Sequence, residues 1–176
     1  MRMLHLGCGQ VYLAGWVNVD LDSPKVDLKC DLRRSLPCAN NSVDFVHSEH
    51  LIEHLTIQEG LGLMGELYRV LKPGGVLRIA TPDLGYILLR YFLFWKRQDW
   101  IRKYRYDWIS TRAEMVNICM REWGHQYLYD EEELKRRLRE AGFRQISRQK
   151  LSQSRYSQLR NRETRKDSKL VVEAIK

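Results

Sequence analysis

The fold is decided by two segments near the start of the chain, LHLGCG at residues 4–9 and WVNVD at residues 16–20. Each is a short apolar run; the first ends in two glycines and the second in a carboxylate. Glycine adopts backbone angles that other residues avoid and lets the main chain approach a ligand closely, so Gly7 and Gly9 at a strand end indicate a nucleotide-sized site. Asp20, at the end of the next strand, is placed to accept hydrogen bonds from a ribose diol. The pattern is also typical of an ordinary turn, so the segments that follow are needed to distinguish a nucleotide site from a turn.

Three more apolar runs follow, separated by turn residues and one helix. Residues 26–32 predict a third strand, residues 42–48 a fourth and residues 76–80 a fifth. Before the fifth, residues 57–71 have apolar side chains at helical spacing, and the sequence TIQE at residues 56–59 matches a helix-capping box. Strands interspersed with a helix in this way are typical of a parallel α/β sheet.

In this order, the segments resemble the class I S-adenosylmethionine-dependent methyltransferases, in particular the methyltransferase type 11-like group. The resemblance implies an α/β, Rossmann-like fold with a seven-stranded, mostly parallel sheet whose last strand is antiparallel, in one domain over residues 1–176. It also implies an enzyme that takes S-adenosyl-L-methionine as methyl donor and releases S-adenosyl-L-homocysteine. The segments that carry it are LHLGCG (4–9), NVD (18–20), CDL (30–32), SVDFVHSEHLIEHL (42–55) and LYRVLKPGGVLRIATPD (67–83).

The resemblance further assigns cofactor contacts to residues at the strand ends, where ligands of such sheets bind. Gly7, Cys8 and Gly9 would contact the methionine part of the cofactor, and Asp20 would bind the ribose hydroxyls. The other expected contacts are Leu21, Asp31 and Leu32 at the adenine, and Ser48, Glu49 and His50 beside the sulfonium.

Methyl transfer from a sulfonium is an in-line displacement, so most of the rate enhancement comes from holding the nucleophile against the methyl group. A general base is needed only if the acceptor is a hydroxyl or an amine that arrives protonated. The sequence offers three candidates for this base, His50, His125 and Asp83. A packed or solvent-facing side chain is the alternative for either histidine, and no acid–base pair stands out.

No metal site is expected, although residues 50–54 spell H-x-x-E-H, the zinc motif of one peptidase class. That motif needs both histidines on one helix face and a further ligand, whereas His50 is predicted to lie at a junction between strand and helix. Glu53 and His54 are therefore interpreted as structural residues that bond a neighbouring loop. The four cysteines show neither C-x-x-C pairing nor zinc-ligand spacing and are predicted to be reduced thiols.

The connections after the first two strands are unusually short. Only residues 10–15 join the first strand to the second, and residues 21–26 join the second to the third. Parallel strands normally need a crossover of a dozen or more residues, so the early crossover helices are predicted to be shortened or absent. A mostly parallel sheet needs both faces covered. We therefore expect residues 84–122, or a second subunit in a homodimer, to cover the face that lacks these helices.

The net charge of +8 is unevenly distributed. Residues 1–82 hold 8 Lys/Arg and 9 Asp/Glu, whereas residues 83–176 hold 22 and 13. A basic half indicates attraction to an anionic partner, with solvated lysines and arginines on exposed helices as the alternative. Residues 84–122 interleave aromatic and basic side chains and predict two helices, with a break near residues 98–99 or 106–107. Such interleaving is typical of a substrate cap, of a helix on a membrane surface, or of an aromatic stripe packed on the domain.

The last part of the chain predicts a helix over residues 130–141, capped by Asp130, and two strands over residues 143–151 and 170–175. These strands fit the sixth and seventh of the family's sheet. The polar segment between them, residues 152–168, has a composition compatible with mobility.

No apolar run approaches the ~18 residues that a membrane span needs, and no targeting pattern is evident, so the cytoplasm is the expected location. The sequence thus predicts a small methyltransferase whose acceptor, a small molecule with anionic ones among the candidates, is held by residues 83–130. One alternative is a non-catalytic binding or assembly module of the same fold. The other is an RNA methyltransferase, but no appended RNA-binding module accompanies the domain, and nucleic acid is not expected as a partner.

Overall fold

A computed structural model describes residues 1–176 and contains one seven-stranded sheet in the order β3-β2-β1-β4-β5-β7-β6. The first five strands run parallel to one another, and β7 is antiparallel to both β5 and β6. The predicted fold class is therefore confirmed. The strands are β1 (Met3–Leu6), β2 (Val17–Asp20), β3 (Leu28–Lys29), β4 (Val43–Glu49), β5 (Leu71–Thr81), β6 (Gln145–Arg148) and β7 (Leu170–Ile175); the helices are α1 (Ile57–Val70), α2 (Leu84–Phe92), α3 (Asp99–Lys103), α4 (Arg112–Arg121) and α5 (Glu131–Glu140).

One face of the sheet packs against α1 and α5, as the apolar periodicity of both helices predicts. A cluster of 24 buried residues joins strand side chains such as Leu6 and Val46 to Leu63 of α1 and Leu138 of α5. Both helix starts are capped as predicted. Thr56 and Glu59 form the reciprocal capping box of α1, and Asp130 accepts a hydrogen bond from the main-chain N–H of Glu133 at 2.8 Å. These helices hold the sheet rigid below the candidate site.

The connections between β1, β2 and β3 contain no helix, as predicted. The Asn18 side chain stands in for helical hydrogen bonds in the first of them. Its Oδ1 accepts from the Leu13 N–H at 2.9 Å, and its Nδ2 donates to the Leu13 carbonyl at 3.1 Å and to Asp27 Oδ2 at 2.9 Å. One buried amide thus fixes both short connections.

The helix-free face is covered by residues 149–169, the connection between β6 and β7, so the expectation that residues 84–122 cover it was wrong. Arg78 of β5 lies fully buried on this face. It donates to the Gln153 carbonyl at 2.9 Å, to Glu173 Oε1 at 2.6 Å and to Glu163 of the connection. A buried ion-pair network therefore holds the cover at β5 and β7, and Leu159 of the cover packs against Trp16 and Val76.

Residues 84–122 instead form α2, α3 and α4, one helix more than predicted, because the chain breaks at both of the expected positions. Their buried residues form a separate apolar cluster of seven, which includes Ile87, Trp100 and Met115. No helix of the chain combines the length and the apolar composition that crossing a bilayer requires. These three helices therefore form a small subdomain with its own apolar core.

Candidate active site

The glycine loop and the carboxylate after β2 meet at the carboxyl end of the sheet. Gly7 and Gly9 both have positive φ angles, +63° and +51°. The Gly9 N–H donates to Asp20 Oδ2 at 2.9 Å, and the Gly7 N–H donates to the Val19 carbonyl at 2.9 Å. The positive φ of Gly7 favours glycine, and a Cβ atom there would lie in tight contact with Leu51, 3.0 Å from Cδ1. The sequence prediction that these residues converge is confirmed.

Asp20 shapes the loop as well as facing it. Its Oδ1 accepts from the main-chain N–H groups of Asp22 and Ser23, both at 3.0 Å. Burial raises the pKa of Asp20, but the N–H groups of Gly9, Asp22 and Ser23 outweigh it and hold the pKa below its ordinary value. The side chain is therefore a carboxylate at neutral pH. Because each carboxylate oxygen has two lone pairs, Oδ2 can accept a further hydrogen bond.

The other residues expected at the cofactor differ in their exposure and in their side-chain partners. Asp31 follows Cys30, whose N–H donates to the Asp20 carbonyl at 3.0 Å, so it lies close to Asp20. Its carboxylate is paired with the Arg33 guanidinium at 2.8 Å, which lowers its pKa to about 2. Leu21 is 39% exposed and available for a ligand to pack on. Cys8 and Leu32 are buried, and Leu32 belongs to the main apolar core.

The end of β4 divides into residues with different tasks. Ser48 is buried beside Leu6 in the sheet register. Glu49, expected beside the sulfonium, accepts four hydrogen bonds from the connection that covers the sheet, namely from Thr164 N (2.8 Å), Thr164 Oγ1 (2.7 Å), Arg165 N (3.0 Å) and Ser168 Oγ (2.8 Å). These bonds occupy its lone pairs, so the geometry makes Glu49 an anchor for the cover.

His50 and Glu53 form an acid–base pair that sequence reasoning missed. His50 has a positive φ of 51°, and its Nδ1 lies 2.9 Å from Glu53 Oε1. Glu53 is fully buried, and its Oε2 accepts a hydrogen bond from Thr81 Oγ1 at 2.9 Å. Burial raises the pKa of Glu53, but the His50 imidazole outweighs this and lowers it overall. Carboxylates thus lie on both sides of the His50 ring, since its Nε2 is 3.8 Å from Asp167 Oδ2.

The H-x-x-E-H sequence does not form the peptidase zinc motif, because His50 precedes the short helix Ile52–His54 in a left-handed conformation. Donor atoms of Glu53, His54 and His125 do lie within 4.8 Å of one another. The Glu53 carboxylate is, however, already engaged by His50 and Thr81. The Glu53 carbonyl also accepts the Gln126 N–H at 2.8 Å, so the predicted bond to a neighbouring loop is confirmed.

The two other candidate bases are held in structural contacts. Asp83 Oδ1 accepts the Tyr86 N–H at 3.3 Å as the N-cap of α2, and Oδ2 pairs with Arg148 at 2.9 Å. Both carboxylate oxygens of Asp83 therefore already have protein partners. His125 Nδ1 lies 2.7 Å from the Cys119 carbonyl, and its ring packs edge-on against His54 with centroids 5.0 Å apart.

A cavity of about 430 Å³ begins at His50 and extends under α2, α3 and α4. It also reaches the connection between β6 and β7. The residues that line it are His50, His54, Pro82, Asp83, Tyr86, Ile87, Gln98, Asp99, Trp100, Tyr104, Cys119, Trp123, His125, Arg165, Asp167 and Lys169. All three predicted base candidates thus border one cavity, beside the strand ends.

The strand order, the glycine loop and the carboxylate that closes it define a class I methyltransferase fold. A family model described as a methyltransferase domain matches residues 2–148, and the chain belongs to this family of S-adenosylmethionine-dependent methyltransferases. A probable S-adenosylmethionine-dependent methyltransferase of Mycolicibacterium smegmatis is 32% identical over 99 residues. That match covers 46% of this chain and 38% of the relative, so the chain spans well under half of the relative's length.

Solved structures show the same fold at low sequence identity. A SAM-dependent methyltransferase from Archaeoglobus fulgidus superposes with a TM-score of 0.61 at 16% identity, covering 99% of this chain and 86% of that one. A SAM-dependent methyltransferase from Thermotoga maritima, described as a possible histamine N-methyltransferase, gives a TM-score of 0.59 at 18% identity, covering 99% and 82%.

Proposed function

We propose that this chain transfers the methyl group of S-adenosyl-L-methionine to a small-molecule acceptor held in the cavity beneath α2, α3 and α4. The observation that carries the proposal is the position of His50. It follows β4, whose Ser48 is in register with Leu6, the residue before the glycine loop, and it also lines the cavity. Cofactor residues and acceptor cavity therefore adjoin at one histidine.

The residues at the strand ends fit the cofactor. The ionised Asp20 retains acceptor capacity beside Gly9, as a ribose diol requires, and Leu21 offers an exposed apolar surface to a base. When bound, the cofactor supplies an electrophilic methyl group on a sulfonium. The chain's own contribution is to orient the acceptor and to exclude water.

His50 is the general base in this proposal. Glu53 Oε1 lies at ion-pair distance from Nδ1, and Thr81 bonds the other oxygen of Glu53, which leaves Nε2, 3.8 Å from Asp167, as the nitrogen that accepts the proton. An acceptor hydroxyl or protonated amine would lose its proton to Nε2. Asp83 and His125 border the same cavity but stay in their structural contacts.

The cavity lining favours a planar acceptor that is neutral or positively charged over an anionic one. Four aromatic side chains face it, and its two cations, Arg165 and Lys169, are opposed by three carboxylates. Lys169 lies 3.3 Å from Asp99, which uses part of this positive charge. The excess of basic residues in the second half of the chain is therefore outside the cavity. The four cysteines are all unpaired, which suits a reducing compartment, so the cytoplasm is part of the proposal.

Calorimetry with S-adenosyl-L-homocysteine tests the proposal directly. Binding with one site per chain is expected, and a His50→Gln variant should keep that affinity while losing methyl transfer to any acceptor found by screening. Absence of binding at millimolar ligand would favour the non-catalytic module. Salt-dependent retention of the protein on RNA would instead favour an RNA acceptor.

A further inference from the structure

Residues 88–97 present an unusual apolar surface next to the acceptor cavity. Five of them are large apolar residues that remain well exposed, and Phe92 is the most exposed at 71%. Single exposed apolar residues are common, but a contiguous group of this size marks an interaction surface. We name this stretch the apolar tip. Its five exposed apolar residues are Leu88, Leu89, Phe92, Leu93 and Phe94.

The apolar tip includes the end of α2 and the turn after it, and hydrogen bonds order this segment. Arg90 donates from Nε to the Tyr86 hydroxyl at 2.9 Å and from Nη2 to the Arg97 carbonyl at 3.0 Å. The Arg97 N–H in turn donates to the Phe94 carbonyl at 2.8 Å, and Phe94 takes a left-handed φ of 52°. Hydrogen bonds therefore hold the apolar side chains outward, although Ile87 of the same helix is buried.

Two basic side chains lie against aromatic rings at the Phe92 end of the tip, whereas Leu89 at the other end borders a pocket with Asp130, Glu131 and Glu132. The Arg97 guanidinium lies 4.9 Å from the centre of the Phe94 ring, and the Lys96 ammonium lies 5.1 Å from that of Trp95. With Arg90, the tip carries three cations and no carboxylate over residues 88–97. The half of the chain that contains it is strongly basic as well. Over residues 92–97, exposed apolar side chains next to a lysine and an arginine match the boundary between acyl chains and anionic head groups.

We propose that the apolar tip docks this protein on an anionic lipid surface. The side chains of Phe92, Leu93 and Phe94 enter the boundary between head groups and acyl chains, while Lys96 and Arg97 contact the lipid phosphates. A second copy of this chain fits less well, because two identical tips would bring their cations together. Because Tyr86 and Ile87 of the same helix line the cavity, docking places the cavity close to the membrane surface. The docking itself does not depend on methyl transfer.

Co-sedimentation with vesicles tests this proposal. Wild-type protein should bind vesicles of mixed phosphatidylcholine and phosphatidylglycerol, and it should not bind phosphatidylcholine alone. Phe92→Ser with Phe94→Ser should weaken binding at least about tenfold, since two buried phenyl rings are lost. Lys96→Glu with Arg97→Glu should weaken vesicle binding strongly relative to wild type at about 50 mM salt. The difference between the two proteins should be smaller at about 500 mM, because salt screens the charges.

Two control variants separate local docking from general attraction. Arg139→Glu with Arg144→Glu makes the same charge change at exposed sites elsewhere, and Leu151→Ser removes a different exposed apolar side chain. Both should bind vesicles nearly as wild type does. Equal loss in the charge control, or no vesicle binding by the wild type, would overturn the proposal. So would a wild-type dimer in light scattering that dissociates in the phenylalanine variant. Calorimetry with S-adenosyl-L-homocysteine on each variant checks the fold and reports on the proposed enzyme separately.

Discussion

Asp20 accepts one main-chain N–H from the glycine loop and two from the turn after β2, and the same carboxylate is the proposed ribose ligand. Asp20→Ala should therefore weaken binding of S-adenosyl-L-homocysteine by about 1–3 kcal/mol, through loss of charge-assisted hydrogen bonds and of loop order. Calorimetry measures this. Asp22→Ala is the matched control, because its exposed side chain contributes no hydrogen bond to the loop while its N–H remains. Equal affinity in both variants would place the ribose elsewhere.

Glu53 is buried with one oxygen at His50 and the other at the Thr81 hydroxyl. Thr81→Val keeps the shape of the side chain but leaves Glu53 Oε2 buried without that donor. We expect a loss of about 1–3 kcal/mol in the free energy of unfolding, measured by urea denaturation. In addition, kcat should fall more than KM changes, because the base is less well oriented. A variant as stable and active as the wild type would show that Thr81 does not position Glu53.

The H-x-x-E-H sequence contained the two residues of this pair, but the sequence did not reveal their relation. Residues 50 and 53 can face each other in several ways, and what selects the observed one is the left-handed conformation of His50. A non-glycine residue with positive φ is rare, so nothing in local propensity predicts it. Gly7, Gly9 and Asp20 were predictable because their spacing repeats a simple rule, a strand followed by a loop and a strand ended by an acid.

At the scale of elements, the buried Arg78 of β5 holds the cover over the helix-free face. Arg78→Met should reduce the free energy of unfolding by about 3–5 kcal/mol, because it leaves Glu163 and Glu173 buried without their cation. The matched control is Lys72→Met, also in β5, whose partner Asp44 is partly exposed; a loss of about 0–1 kcal/mol is expected there. Similar losses in urea denaturation would mean that the network contributes no more than a surface pair.

The strands and the long helices were predictable because apolar spacing and capping residues act locally. The cover formed by residues 149–169 was not predictable, because its polar composition is that of a mobile loop. They are ordered by partners distant in sequence, such as Arg78 and Glu49. A lone arginine in an otherwise apolar strand was the one signal that pointed to a buried polar partner on that face.

For the whole molecule, burial of histidines on the sheet makes stability depend on pH. His47 is fully buried, neither of its ring nitrogens has a hydrogen-bond partner, and burial lowers its pKa well below 6.5. His5, stacked on it at 5.5 Å, also has a pKa lowered by burial, as does His54. In the folded protein these rings are therefore neutral, whereas in the unfolded chain each ring is protonated once the pH falls below the ordinary histidine pKa.

The sign of the effect follows from this difference. A base whose pKa is depressed by folding contributes its full stability above the unfolded pKa of 6.5 and loses it as the pH falls below that value. As the pH is lowered from about 6.5 to about 5, we expect the free energy of unfolding to decrease by up to about 1.4 kcal/mol per pH unit for each such histidine. Urea denaturation measures this as a falling midpoint. Arginine partners lower the pKa values of Asp31 and Glu133 to about 2, so these carboxylates add their loss only at more acidic pH.

His47→Leu separates this contribution from the rest. The variant removes one titrating ring and both orphaned nitrogens, so its unfolding free energy should fall less steeply than that of the wild type over the same pH range. His5 and His54 remain, which is why a slope should persist. Parallel curves for the two proteins would mean that His47 does not titrate on unfolding in this window. A midpoint independent of pH in the wild type would contradict the neutral state of all three rings.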